Sequence, residues 1–526
     1  MKQAIEIYDT TLRDGTQQEG ISLTAKDKLA ICGLLDDLGV AYVEGGWPGA
    51  NPKDDEFFAR ARTELDLKTA QLVAFGSTRR AGVKPGDDEQ VQRLLAADTG
   101  TVCLVGKAWD YHIDHALRVS HDEAVAMVAD TVSFFRSEGR EVFFDAEHFF
   151  DGYRSNPDLA TAILTAAHEA GASRLVLCDT NGGFLTDEVE RTIGEVTERI
   201  PDGTFGCHFH NDSGLAVGNT LTAVKGGVTQ VQGCINGYGE RTGNADLCSV
   251  IPNLTLKMGV ESIPEDRLSR LTTVSHHIAE VINLTLNPHL PYVGSSAFTH
   301  KAGLHTSALA KRSDAYEHLD PSTIGNTTRM VVSELAGRST VVAKASEFGL
   351  DLTPEDAQRI VDTIKEYEHA GYQFEAAGGS FELLARRALG WEQDLFEVES
   401  YRVFVEQRAG EVIAEATVKA HVGDQRIVST REGDGPVSAM DRALRAALRD
   451  SYPSIDDIKL TDYRVRDLDS SEGSSARVRV LTTHADADSS WGCIGVHQNI
   501  IDASWTAVSD GLLIGLMRAQ RRAEIA

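Results

Sequence analysis

The sequence predicts a (β/α)8 barrel, then helical connecting subdomains, then a C-terminal α+β domain in which a βββα unit occurs twice. Three observations carry this reading. Eight short, β-branched apolar runs alternate with amphipathic stretches over about 260 residues. The pattern then turns helical, and after Trp391 strands return in two sets of three, each closed by a helix.

The eight runs are AIEIYDTTL from Ala4, AYVEGGWP from Ala41, AQLVAFGS from Ala70, TVCLVGKA from Thr101, EVFFDAEH from Glu141, RLVLCDTNG from Arg174, TFGCHFHND from Thr204 and TQVQGCING from Thr229, about 25 to 40 residues apart. Their nearly continuous apolar character suits strands buried on both faces, as in a parallel sheet. Between them, TAKDKLAICGLLDDLG and SHDEAVAMVADTVSFFRSEG have helical period and end in glycine, a helix stop signal. An open doubly wound sheet is the alternative, and the count of eight favours closure.

From Pro264 to about Trp391, segments such as LSRLTTVSHHIAEVINL and TPEDAQRIVDTIKEYEHA predict an all-helical connection without a second sheet. Beyond it, SYRVFVEQR, EVIAEATVKAHVG and DQRIVSTREGDGP lead to the helix VSAMDRALRAALRDSY. LTDYRVRDL, SARVRVLTTHA and SWGCIGVHQN then lead to IIDASWTAVSDGLLIGLMRAQRR. The predicted domains are residues 1–265, 266–390 and 391–526.

Length and charge agree with a multidomain globular chain. At 526 residues it exceeds what one core spans. Acids outnumber bases 79 to 51, a formal charge of -28 with a pI near 5.0, which excludes nucleic acid and anionic membrane surfaces as expected partners. No apolar run approaches the ~20 residues of a membrane span, and the N-terminal residues lead straight into a strand instead of a signal peptide, so a cytoplasmic location is expected. The seven cysteines form no CxxC pair, which excludes a disulfide framework or zinc knuckle. Cys103, Cys178, Cys207 and Cys234 read as small buried hydrophobes.

In such barrels the chemistry lies at the carboxyl ends of the strands. Polar residues gather there: Asp9 to Asp14 after the first strand, Glu44 at the second, Asp145 and Glu147 at the fifth, Asp179-Thr180-Asn181 at the sixth, His208 and His210 at the seventh, Asn236 to Arg241 after the eighth. The opposite ends carry no comparable cluster. His208 and His210, two apart on a strand, face the same side, so both imidazoles can reach one ion. A carboxylate must balance that ion, and spacing leaves Asp9 and Asp14 both open. Arg13 has the planar fork of donors that clamps a carboxylate or developing oxyanion. GYGERTGN (237–244) reads either as an anion-binding glycine loop, for a cofactor such as coenzyme A, or as a turn into the last barrel helix.

DTTLRDGTQ (9–17), HFHND (208–212), GYGERTGN (237–244) and FTHKAGLH (298–305) together resemble the isopropylmalate, homocitrate and citramalate synthase family of metal-dependent acyl-CoA condensing enzymes. The resemblance spans essentially the whole chain, since the duplicated module is similar to that family's C-terminal regulatory domain. AEHFFDGYRSNP (146–157), VEGGWPGANPKD (43–54) and WGCIGVHQNIIDASW (491–505) are most similar to the citramalate branch. That branch joins pyruvate to acetyl-CoA in isoleucine synthesis; 2-isopropylmalate or homocitrate formation is the near alternative, a lyase or aldolase on the same barrel the more remote one.

The resemblance implies that Asp14, His208 and His210 ligate a divalent cation (Mn²⁺, Mg²⁺ or Zn²⁺), with Asn244 completing or supporting the shell. It places Arg13 at the developing charge, Gln17 and Thr180 on the keto acid, and His305 with Glu147 at the methyl proton of acetyl-CoA. Tyr316 stands for a tyrosine supplied by a partner chain, so a homodimer is expected, with isoleucine or leucine as effector. Two positions depart from the family: His148 follows Glu147 where other branches carry an acid, and Asp145 stands near the keto acid side-chain pocket.

Overall fold

A computed structural model describes residues 4–301, 305, 308–309, 312–331, 337–391, 395–408, 410–468 and 477–525. The motif FTHKAGLH therefore lies partly outside the described residues. The chain divides into two units, Met1–Phe298 with Leu319–Thr327, and Thr299–His318 with Thr328–Ala526.

The first unit is built on eight parallel strands: β1 (Glu6–Asp9), β2 (Tyr42–Gly46), β3 (Gln71–Ser77), β4 (Thr101–Lys107), β5 (Glu141–Glu147), β6 (Arg174–Asp179), β7 (Phe205–Phe209) and β8 (Gln230–Gly233). They hydrogen-bond in sequence order, and β8 closes on β1 with Glu6 opposite Gln230 and Asp9 opposite Gly233, so the sheet is a closed barrel. Helices between the strands bury their apolar stripes outside it. Ala25–Leu38 opens on a capping box at Thr24 and Asp27 and stops at Gly39 in the left-handed region, φ 92°. All seven cysteines are buried and free.

The amino-terminal end of the barrel is not the apolar surface expected. Arg174 forks onto Glu6 at 2.6 and 2.9 Å, Gln230 donates to Glu6 at 3.3 Å, and Glu141 accepts from Thr101 and Ser173. Each residue begins or precedes a strand, where the taper leaves room for long side chains, and each charge is paired. Read singly along the sequence, they resemble ordinary strand-start polar residues.

In the second unit, among the described residues, the helical connection departs from the all-helical expectation where β9 (Thr299–His300) pairs in parallel with β10 (Arg329–Met330). Two residues per strand are too few to leave a periodic signal. The helices Arg338–Glu347, Pro354–His369 and Gly378–Ala388 follow. The repeat then appears as β11 (Glu397–Arg408), β12 (Glu411–Val422) and β13 (Gln425–Gly433) with helix Pro436–Leu448. Its second copy is β14 (Lys459–Asp467), β15 (Val478–Ala485) and β16 (Ser490–His497) with helix Ile500–Ile525. Both sheets are antiparallel, and both carry a register shift early in the first strand, at Val398/Ser400 and Leu460/Asp462. The last helix is long and apolar enough to span a membrane by length and composition, contrary to the expectation that no run is. More than half of it is buried, with Ala503, Ala507, Val508, Leu512 and Ile514 in the core beneath its sheet.

Gly152, in the helix Phe149–Ser155 after β5, approaches the chain leaving β4: a Cβ there would lie 2.0 Å from the Ala108 carbonyl oxygen. Gly152→Ala must push that helix off the barrel, and a loss of about 1–3 kcal/mol is expected as a lower urea midpoint at unchanged slope.

Candidate active site

Alternation along β7 aims both histidines into the mouth, His208 from the strand and His210 from just beyond it, where its backbone bridges to Asn244. Their Nε2 atoms lie 3.2 Å apart. The loop after β1 brings Asp14, whose Oδ2 sits 3.1 Å from His208 Nε2 and 3.7 Å from His210 Nε2. Asp14 precedes the short helix Gly15–Gln17 but does not cap it with its side chain, so the carboxylate is left for the mouth. Of the two carboxylates left open by spacing, Asp14 is the one that lies beside the imidazoles; Asp9 accepts from Thr11 N and Oγ1, each at 2.9 Å, and burial pushes its carboxyl up to about 7.

Two buried oxygens in this cluster, Asp14 Oδ2 and Asn244 Oδ1, have no hydrogen-bond partner. Asn244 is fixed by its other end, Nδ2 donating to the Tyr238 carbonyl at 2.9 Å. One carboxylate oxygen, two imidazole nitrogens and an amide oxygen are the donor set a hard or borderline divalent cation takes, and the unsatisfied oxygens fit such an ion.

The electrostatics point the same way. Burial opposes charge on Asp14, but Arg13 and the imidazoles overcome it and hold the carboxyl well below its usual range. For His208, burial lowers the pKa and the Asp14 contact outweighs it, leaving a net rise. His210 is lowered to about 3 by burial and by His208, so it stays neutral at physiological pH. Its Nδ1 faces Arg241 Nη2 at 3.2 Å. Ligation through Nε2 moves the ring proton to Nδ1, so this contact must give way when a cation is held.

Arg13 spans the site. Its Nε donates to Glu44, itself hydrogen-bonded by the Tyr8 hydroxyl at 2.7 Å; its Nη1 lies 3.3 Å from Asp14 Oδ1; and its guanidinium stacks 3.8 Å above the Phe75 ring. Glu44, Cys103 and Asp145 also converge. Both Glu44 oxygens are taken and Asp145 accepts from Gln232, so that group forms the hydrogen-bonded floor of the site.

A cavity of about 600 Å³ opens above, lined by Arg13, Asp14, Gln17, Glu147, Thr180, His208 and His210 among others. Glu147 is ion-paired with Lys107, its register partner on β4. Thr180 Oγ1 accepts from the His148 amide at 2.9 Å, with His148 in the left-handed region, φ 55°. In the glycine loop, Gly243, φ 89°, has no room for a Cβ, which would meet the Gly237 carbonyl at 1.9 Å; the Gly237 amide donates to the Cys234 carbonyl, the Gly243 amide to that of Glu240 and the Asn244 amide to that of Gly237. His305 and Tyr316 belong to the second unit, where their rings stack 4.0 Å apart, beside the pair of His300 and Glu317.

Comparison with known proteins gives this geometry a context. The HMGL-like family model matches residues 4–278, the homocitrate synthase post-HMGL domain-like model 292–371, and the LeuA allosteric (dimerisation) domain model 375–513. The (R)-citramalate synthase of Streptomyces coelicolor is 51% identical, covering 99% of this chain and 98% of that protein. The chain belongs to the (R)-citramalate synthase family. The Aquifex aeolicus member of the family is 47% identical over 98% of this chain and 99% of its own length. The probable 2-isopropylmalate synthase of Methanopyrus kandleri is 30% identical, covering 97% and 98%.

Three residues of this (R)-citramalate synthase family member escaped the reading of its sequence. Lys107 obeys the rule that found Glu147, a charge at a strand's carboxyl end. Gln232 is a fully buried amide inside VQG. Arg241 lies within a noted motif, but nothing in the spacing says that it binds Asp212, the Thr180 carbonyl and His210 together.

A proton on His208 would compete with a cation for the same nitrogen, and the Asp14 contact raises the imidazole's pKa from its ordinary value, so Mn²⁺ affinity is expected to fall as pH is lowered. Titration of metal-free protein, followed by the Mn²⁺ electron spin resonance signal, is expected to weaken roughly tenfold between pH 6.5 and 5.5. His210, already neutral, contributes nothing to that slope.

Proposed function

We propose that this chain condenses acetyl-CoA with pyruvate and water, giving (R)-citramalate and free CoA, at the entry to isoleucine synthesis. The observation that carries the reading is the identity of 51% and 47%, over nearly the full chain, to proteins named (R)-citramalate synthase. The convergence of Asp14, His208, His210 and Arg13 on one cavity supports it.

Held by Asp14, His208 and His210, with Asn244 completing or supporting the shell, a divalent cation would chelate the 2-oxo acid and polarise its ketone. The residues of the chain do the rest. Arg13, kept charged and pinned by Glu44 and Phe75, is preorganised for the negative charge that grows on the ketone oxygen. Thr180 and Gln17, on the cavity wall, suit hydrogen bonds to the keto acid. The methyl proton of acetyl-CoA is assigned to His305 working with Glu147, and Tyr316 to a partner chain; these roles rest on the family resemblance. The freed methyl carbon attacks the ketone carbon, the ketone oxygen ends protonated as the alcohol, and water cleaves the thioester to a carboxylate and the CoA thiol.

Released thiol, followed over a panel of 2-oxo acids, tests the substrate. Pyruvate should be turned over, and 2-oxoisovalerate, larger by two carbons, at least about 30-fold less efficiently at about 1–3 kcal/mol per added group. Turnover of 2-oxoisovalerate without pyruvate would overturn the reading.

The match to an allosteric (dimerisation) domain and the duplicated βββα unit support a homodimer whose activity a branched-chain amino acid controls. Millimolar isoleucine should lower the rate at subsaturating substrate, with leucine the second candidate. Unchanged kinetics with both would leave the domain an assembly role alone.

A further inference from the structure

His208 can serve a cation only through the lone pair of Nε2, so its single proton in the neutral form must sit on Nδ1. What holds it there is two residues away from the mouth. His208 Nδ1 lies 2.9 Å from Gln232 Oε1, and Gln232 Nε2 lies 3.0 Å from Asp145 Oδ1. All three side chains are buried, Gln232 completely, and His208 and Gln232 are register partners on β7 and β8.

An amide has two unlike ends, and the order of this chain follows from which end can face which neighbour. Asp145 Oδ1 accepts from the NH2 end of Gln232 at 3.0 Å. That leaves the carbonyl end for the ring, and a carbonyl only accepts, so Nδ1 must be the nitrogen that donates. Turned over, the amide would set its oxygen against the carboxylate and its NH2 against Nδ1; the ring proton would move to Nε2 and block the ligating position. We propose that Gln232, held in one orientation by Asp145, is the positioning residue that fixes His208 in its Nδ1–H form and so keeps Nε2 open to the cation site. This gives Asp145, otherwise a departure from the family, a task within the site. The inference rests on the cation reading above.

Metal-free full-length protein titrated with Mn²⁺, read by the spin resonance of the free ion, tests it without recourse to activity. Gln232→Leu, which leaves Nδ1 with no acceptor, should weaken Mn²⁺ binding by about 10- to 100-fold. Gln232→Glu should restore affinity to near the wild-type value, since a protonated carboxyl can accept from the ring with one oxygen and donate to Asp145 with the other. Should Gln232→Leu fail to fold, Gln232→Met keeps the length of the side chain without an acceptor and carries the same expectation. Wild-type affinity in the Leu or Met variant would overturn the proposal, as would a loss that Gln232→Glu does not recover, since that would mark a packing role. Failure of the wild-type protein itself to bind Mn²⁺ would instead remove the cation reading on which the proposal stands.

Discussion

The pairing of β8 with β1, in register from Glu6 and Gln230 to Asp9 and Gly233, decides where everything else can be. Only in a closed barrel does the loop leaving the first strand arrive beside the end of the seventh. Asp14 is 194 residues before His208 in the chain, yet their side chains meet at 3.1 Å because closure makes the first and last strands neighbours. Strand alternation brings the two histidines to one side, and topology brings the carboxylate to meet them, as the proposed cation site requires.

That convergence has an electrostatic cost which shapes its surroundings. Asp14, Glu44 and Asp145 are buried, and the partly exposed Arg13 is the cation paired with Asp14 and Glu44. Burying carboxylates is tolerable only when each is paired or hydrogen-bonded. Glu44 is satisfied by Arg13 and Tyr8, and Asp145 by Gln232 and Cys103, with burial still raising the pKa of both. Asp14 alone keeps an oxygen without a hydrogen bond, and it is the oxygen that faces two imidazole nitrogens. The unbalanced charge thus sits at the one point where a dication would restore balance.

What the sequence made legible follows from which features repeat. Eight apolar runs, a two-residue histidine spacing and a duplicated βββα order are periodic or local, and the barrel, the paired imidazoles and the repeated module all stand as read. Features that depend on three-dimensional neighbours were hidden. Asp9 and Asp14 are equivalent in spacing and differ only in which way a five-residue turn points them. The polar plug of Glu6, Arg174, Gln230 and Glu141 draws on four strands, so no window of sequence contains it. The helix Ile500–Ile525 was read, but its length and apolarity were not, because its apolar face is interrupted by polar residues that a linear scan counts and a buried helix tolerates: Ser504 is fully buried, its hydroxyl bonded to the Ile500 carbonyl.

The site also divides its work by the rigidity of its supports. Groups that must present one atom in one direction, His208, Gln232 and Asp145, lie within strands, where barrel packing fixes their rotamers. Groups that line the cavity and are proposed to meet reactants, Arg13, Gln17, Glu147 and Thr180, sit at strand ends and in the loops beyond, where His148 and Arg241 hold left-handed backbone that a free chain would abandon. Such strain persists only when the surroundings determine it. Arg241 does so by joining the loops after β6, β7 and β8 through one guanidinium, and His148 by anchoring its amide to Thr180.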